Sequence, residues 1–210
     1  EPGALPLLSQ ALLETWKRRK GNLLTLAGYA EAGGIHHAIA RSAEQVYTNL
    51  DPDQQLLART IFVRLTWLGD GVPDTCRRVE YDDLVSLLGK RQALEQVLNI
   101  LAEARLVTIS ENEVVVAHEA LIREWPTLRS WLAEDREGLH NYNRLSEAAR
   151  EWDDLEKDPG ELYRGIRLAQ SLEWAEMHPG ELPHLEEEFL AASKNLQELE
   201  IRRQEAANQQ

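Results

Sequence analysis

The sequence predicts a mainly α protein with an N-terminal helical segment, a winged-helix domain whose wing is a β-hairpin, and a C-terminal helical arm. Three observations carry this. Apolar residues recur at helical spacing through most of the chain. Only residues 106–117 hold two short β-rich runs about a tight turn. Asp-Pro and Gly-containing breaks divide the remainder into helices of ordinary length.

Residues 1–50 read as three short helices, 6–20, 25–32 and 35–50, separated by Gly21-Asn22 and Gly33-Gly34. This stretch is too short for an independent, well-buried domain. It reads as the tail of something larger, and a chain that starts at Glu1-Pro2-Gly3 without an initiator methionine is expected of a fragment or processed product.

Residues 51–125 form the next unit. Asp51-Pro52 is a cap and first-turn signal that opens a helix through about residue 68, with Leu57, Ile61, Leu65 and Leu68 inward. A shorter helix follows over 82–88. A third, over 93–105, places Leu94, Val97, Leu98 and Leu101 on one face. Runs 106–110 and 113–117 then flank Glu111-Asn112, a pair suited to a hairpin turn. Three helices followed by a hairpin describe a winged-helix domain.

Residues 126–210 are expected to be helical. An amphipathic region over 126–155 offers Leu128, Trp131, Leu132, Leu139, Leu145 and Trp152 to a core. Asp158-Pro159-Gly160 interrupts it, a helix runs over 161–177, and His178-Pro179-Gly180 breaks the chain again. The last helix, from about residue 183, has Leu185, Phe189, Leu196 and Leu199 near one face and loses its apolar stripe after Ile201, as a solvated extension or connector would.

With 210 residues, 43% of them hydrophobic, the chain can bury one sizeable core or two or three small ones. No apolar run approaches the roughly 20 residues of a membrane-spanning helix, and the N-terminus lacks a secretory pattern. The expected location is cytoplasmic. Cys76 is the only cysteine, in a Gly/Pro/Asp-containing loop, which excludes an internal disulfide and a cysteine-rich zinc site. The net charge of −13 opposes general attraction to nucleic acid or anionic membrane. The clearest basic cluster, residues 17–20, closes the first helix, where cations favour the helix dipole.

Most catalytic patterns fail on inspection. His118-Glu119 starts like His-Glu-x-x-His, but Ile122 stands where the second histidine should be, so one turn of helix does not present two zinc ligands. His36 and His37 diverge by about 100° on a helix and make a poor chelating pair. Gly89-Lys90 is followed by Arg91, and Leu84 replaces the first glycine of a P-loop. The abundant carboxylates lie on exposed-looking faces without paired acid/base geometry, and no serine or cysteine comes with an interpretable base. No metal site and no catalytic residue are expected.

The most informative stretch is residues 114–125, VVVAHEALIREW, where an apolar strand ends on His118 and a helix starts at once. A histidine placed there can point at a bound phosphate. The segment Val116-Ala117-His118-Glu119-Ala120-Leu121 resembles the histidine motif that ends the winged-helix domain of STAND-type NTPases, the signalling ATPases related to apoptotic and plant-resistance nucleotide switches. Gly3-Ala4-Leu5-Pro6-Leu7-Leu8 is similar to the Gly-x-Pro motif of their helical lid, with two residues between glycine and proline instead of one. Residues 25–29 (TLAGY), 162–165 (LYRG) and 188–193 (EFLAAS) extend the resemblance over nearly the whole chain. It is greatest for bacterial members that often continue into WD40 propellers. Glu119 stands where Asp is common in the animal and plant motif.

The resemblance implies that Pro6 packs near an adenine and that His118 contacts the β-phosphate of ADP in a closed state. Proline has no N–H to desolvate, and an imidazole N–H can donate to a phosphate. The fragment itself is expected to carry no cofactor and to be no enzyme; the intact protein would bind ADP or ATP with Mg. Its partners would be an upstream P-loop domain of the same protein, a downstream sensor such as a WD40 propeller, and further copies of itself on activation. The alternative reading is a winged-helix DNA-binding regulator with a helical dimerisation arm. Its third helix would have to enter the major groove with Glu95, Asn99 and Glu103 on its body and only Lys90 and Arg91 at its start, a poor electrostatic footprint.

Overall fold

The computed structural model describes residues 4–89 and 91–208, without the side chains of residues 4–7, 10, 35, 36 and 208. Among these residues the protein is mainly α-helical, with eleven α-helices and two small antiparallel sheets. Its contacts fall into two units, Glu1–Asp135 and Arg136–Gln210.

The first unit starts with α1 (Ala4–Lys17), α2 (Leu26–Ala32) and α3 (Gly34–Asn49). The end of α1 falls before the predicted Lys20, because the chain turns through Gly21 and pairs Lys20 with Leu23 in both directions at 3.1 Å. Thr25 then caps α2 by accepting the Gly28 N–H at 3.0 Å. Gly28 sits so close to the end of α1 that a Cβ would lie 3.2 Å from the Arg18 carbonyl. The TLAGY segment is thus a cap followed by a close helix contact.

Asp51 opens α4 (Pro52–Arg64) with a full capping box, its carboxylate accepting the Gln54 N–H at 2.9 Å and the Gln54 side chain accepting the Asp51 N–H at 3.2 Å. Leu57, Ile61, Leu65 and Leu68 are all buried as predicted. The helix that was to hold them stops at Arg64, however, and Thr66–Trp67 form strand β1, paired with β2 (Thr75–Cys76). The turn between them needs Gly69, where a Cβ would collide with the Val72 carbonyl oxygen, and Asp74 accepts the Gly69 N–H at 3.0 Å. Cys76 therefore lies in a strand instead of the expected loop.

Strand β3 (Val79–Glu80), α5 (Tyr81–Leu88) and α6 (Arg91–Glu103) lead into the hairpin, β4 (Val107–Ser110) and β5 (Glu113–Val116). The turn is Glu111-Asn112, with Ser110 opposite Glu113. The sheet has three strands in the order β3-β5-β4 instead of the two predicted, because Val79 and Glu80 pair with Val114 and Glu113. Leu94, Val97, Leu98 and Leu101 of α6 are buried. Its outward side carries Glu95, Asn99 and Glu103.

After β5 come α7 (Ala120–Glu124) and α8 (Pro126–Glu134). Trp125, between them, is fully buried and stands edge-on to Tyr47, Phe62 and Trp131 at 5.1 to 6.0 Å between ring centroids. These four rings join α3, α4 and α8 around one centre, and such edge-to-face pairs stabilise beyond their buried area.

The helical region predicted over 126–155 is two helices. Asp135, at φ −141° and ψ 58°, ends α8, and α9 (Arg136–Asp154) begins the second unit. A 3-10 turn (Pro159–Glu161), α10 (Gly165–Met177) and α11 (His184–Asn208) follow, so the penultimate helix starts four residues later than expected. Leu145, Ala149, Trp152, Leu162, Leu168, Phe189 and Leu190 form its core. Leu199, predicted on the apolar face, is 50% exposed, and α11 has left the core by then. The LYRG and EFLAAS segments meet here: the Tyr163 N–H donates to Ser193 Oγ at 3.1 Å and the Tyr163 ring lies 5.0 Å from that of Phe189. Among the described residues no helix is long and apolar enough to cross a membrane.

Candidate functional site

His118 sits in the short link between sheet and helix. The Ala117 N–H still donates to the Leu106 carbonyl at 3.0 Å, and the His118 carbonyl already accepts the Leu121 N–H at 2.9 Å. The last strand bond and the first helical bond thus fall on neighbouring residues and hold the His118 backbone from both sides. Val114 and Val116 before it and Ala120, Leu121 and Ile122 after it are buried. Apolar side chains on both flanks anchor the link while His118 itself stays half-buried.

A histidine at such a junction is often a helix cap or one member of a core hydrogen bond. Neither is seen. The N-cap position of α7 is Glu119, and α7 has no side-chain cap. Among the described residues the His118 ring has no hydrogen-bond partner. Burial lowers its pKa from the ordinary imidazole value, so the neutral ring, with one N–H donor and one acceptor nitrogen, is favoured. The ring is held by its backbone and left open to an external acceptor.

Cys76 and Arg123 surround the same link. The Cys76 thiol is pushed up to about 11, chiefly by burial and further by the Glu119 carboxylate, with Arg123 pulling the other way. A thiol so protonated is a poor nucleophile. This neighbourhood was invisible in the sequence, because Cys76 reaches it only through the pairing of β2 with β1.

Pro6 lies in α1, but its side chain is outside the described residues, as is Gly3. The basic cluster at the end of α1 serves the helix itself. Lys17 and Arg18 bond the buried Glu14 carboxylate at 2.6 and 2.7 Å, and Arg19 lies 4.4 Å over the Trp16 ring. Burial raises the Glu14 pKa, but the hydrogen bonds from Lys17 and Arg18 outweigh it, and the carboxyl is held below its usual range. Gly89 ends α5 in the left-handed conformation and Lys90 lies outside the described residues. Among the described residues no group of three or more His, Cys, Asp or Glu side chains could hold a metal, and the side chain of His36 is outside them.

A second element of the site is the anchoring of α8. Trp125 Nε1 and Thr127 Oγ1 both donate to one oxygen of Glu44, at 2.7 and 2.6 Å. Glu44 belongs to α3, so residues 81 and 83 positions apart are tied at the point where the chain leaves α7. Sequence reasoning missed this carboxylate.

A family model described as Novel STAND NTPase 1 matches residues 1–160, covering the first unit and entering the second. No curated protein and no solved structure matches the chain.

Proposed function

The chain belongs to the Novel STAND NTPase 1 family, and on that premise we propose that it is the non-catalytic regulatory part of a nucleotide-dependent signalling switch. Residues 1–50 act as the helical lid, 51–125 as a winged-helix domain, and 126–210 as the helical arm. Together they close over ADP or ATP, with Mg, bound by a P-loop domain elsewhere in the same protein. The intact protein works in the cytoplasm as an ATPase-type switch. The arm passes its state to a sensor, such as a WD40 propeller, or to assembly with further copies.

The observation that carries this reading is the unclaimed, half-buried, neutral imidazole of His118 within the family-matched residues. Its N–H suits a β-phosphate oxygen, and the family resemblance implies that Pro6 packs near the adenine, where a proline has no N–H to desolvate. A ligand shifts a switch only by binding its two states with different affinity. His118 supplies part of that difference if the phosphate contact exists in the closed state alone. The DNA-binding alternative is not adopted, because the outward side of α6 carries Glu95 and Glu103, which repel a phosphate backbone, and between them only the neutral Asn99.

The test is His118→Ala in the intact protein. ADP should dissociate about tenfold faster, the worth of one charge-assisted hydrogen bond, and basal signalling should rise. Unchanged ADP release would remove the nucleotide role of His118.

A further inference from the structure

Outside the proposed switch, the second unit contains an open cleft of about 690 Å³ between α9, the 160–164 connection and α10. That volume lies in the range of ligand sites, but the lining is polar, with Arg144, Arg164 and Arg167 set among Glu147, Glu151 and Glu161. We propose that this cleft docks a peptide segment of mixed charge, taking a carboxylate side chain between Arg144 and Arg167. The proposal does not rest on the nucleotide reading.

The floor is fixed. Tyr163 is tied by its N–H to Ser193, by its ring to Phe189, and by its hydroxyl to the Arg144 carbonyl at 3.0 Å. The charges converge on that floor: burial pushes the Tyr163 phenol up, while Arg167 and then Arg144 pull it back. Arg164 is engaged with Glu200 at 3.5 Å. Arg167 forms no ion pair among the described residues, although it stands in the first turn of α10, which contains no acidic residue. A cation there opposes the helix dipole, and a carboxylate between the two guanidinium groups would relieve it.

Shape and charge select the partner. The α9 wall runs from Asn141 to Glu151, about 15 Å of helix, or roughly four to five residues of extended peptide. A small free anion would occupy only part of it. Three arginines against three glutamates leave the cleft without net charge in a chain of −13, so a polyanion such as nucleic acid gains nothing there. A segment with an acidic side chain flanked by basic ones meets both signs.

The test titrates the whole chain with a blocked peptide of alternating Lys and Glu, and with a Lys and Gln peptide of equal length, while NMR follows the Tyr163 ring and the Gly165 amide. The Lys–Glu peptide should shift both signals and bind about tenfold more tightly than the Lys–Gln peptide, as expected for a charge-assisted hydrogen bond. Arg167→Gln should lose about the same factor. Glu147→Gln takes a carboxylate from the peptide's lysines and should also weaken binding severalfold; Arg167→Gln should leave the weaker Lys–Gln binding as it was, a selectivity that no folding defect produces, and Arg202→Gln on α11 should change nothing. Absent shifts, equal binding of the two peptides, or an Arg167→Gln variant no weaker than Arg202→Gln would overturn the proposal. So would inorganic phosphate displacing the peptide at equal concentration, which would make the cleft a free-anion site.

Discussion

The indole N–H of Trp125, a fully buried residue, donates to the exposed Glu44 carboxylate 2.7 Å away, and this bond fastens α8 to α3. Replacing Glu44 with leucine removes the acceptor for Trp125 and for Thr127 at once. A buried donor left without its partner costs about 1–3 kcal/mol. Urea unfolding followed by tryptophan fluorescence should show a loss of that size for Glu44→Leu. Glu44→Gln keeps an acceptor oxygen and should lose less. Equal stability of all three proteins would make the bond incidental.

His118 gives the first unit a pH dependence of definite sign. Its folded pKa lies below the unfolded value of about 6.5, so the unfolded chain binds the proton more readily. The stability linked to the neutral ring is present above the unfolded pKa and is lost as pH falls through the folded one. The urea midpoint of the wild-type chain should therefore drop more between pH 7.5 and 5.5 than that of His118→Ala. Identical slopes would show that the ring titrates as it does in water.

Much of this was legible because it is local. The Asp51 capping box, the Glu111-Asn112 turn and the inward face of α6 each depend on residues within a few positions of one another. Leu65 and Leu68 were correctly read as inward, yet in the wrong backbone, since they flank strand β1 instead of continuing the helix. Strands β1, β2 and β3 have two residues each and exist only through pairing, β1 with β2 across a turn and Val79 of β3 with the distant Val114. Periodicity carries no trace of that. The position of His118 could be read from the sequence. The openness of its ring could not, because it depends on what α7 does not use as a cap. The Glu44 tie spans 81 residues to Trp125 and leaves no local signature.

Cys76 reports on the same junction. With its thiol pushed up to about 11, only about one molecule in a thousand is thiolate at pH 8, against about a quarter for an ordinary thiol. Alkylation by iodoacetamide in the folded chain should be slower than in urea by about two orders of magnitude. Glu119→Gln removes the charge that raises the thiol and should speed the reaction, whereas Arg123→Gln should slow it. Burial is the larger cause, so neither variant should reach the rate seen in urea. Rapid labelling of the folded wild type would place Cys76 outside this packed neighbourhood.

Ser193, fully buried, and Tyr163 hold the two halves of the second unit's core together. Ser193→Ala takes the acceptor from the Tyr163 N–H, a backbone group in a half-buried segment that water reaches poorly. The expected cost is about 1–2 kcal/mol. Tyr163→Phe removes only the exposed bond from its hydroxyl to the Arg144 carbonyl, whose oxygen water can solvate instead, and should cost about 0.5 kcal/mol. Urea unfolding of the two variants should rank them in that order. The reverse order would mean that the phenol, and not the main-chain bond to Ser193, fixes the connection that leads into α10.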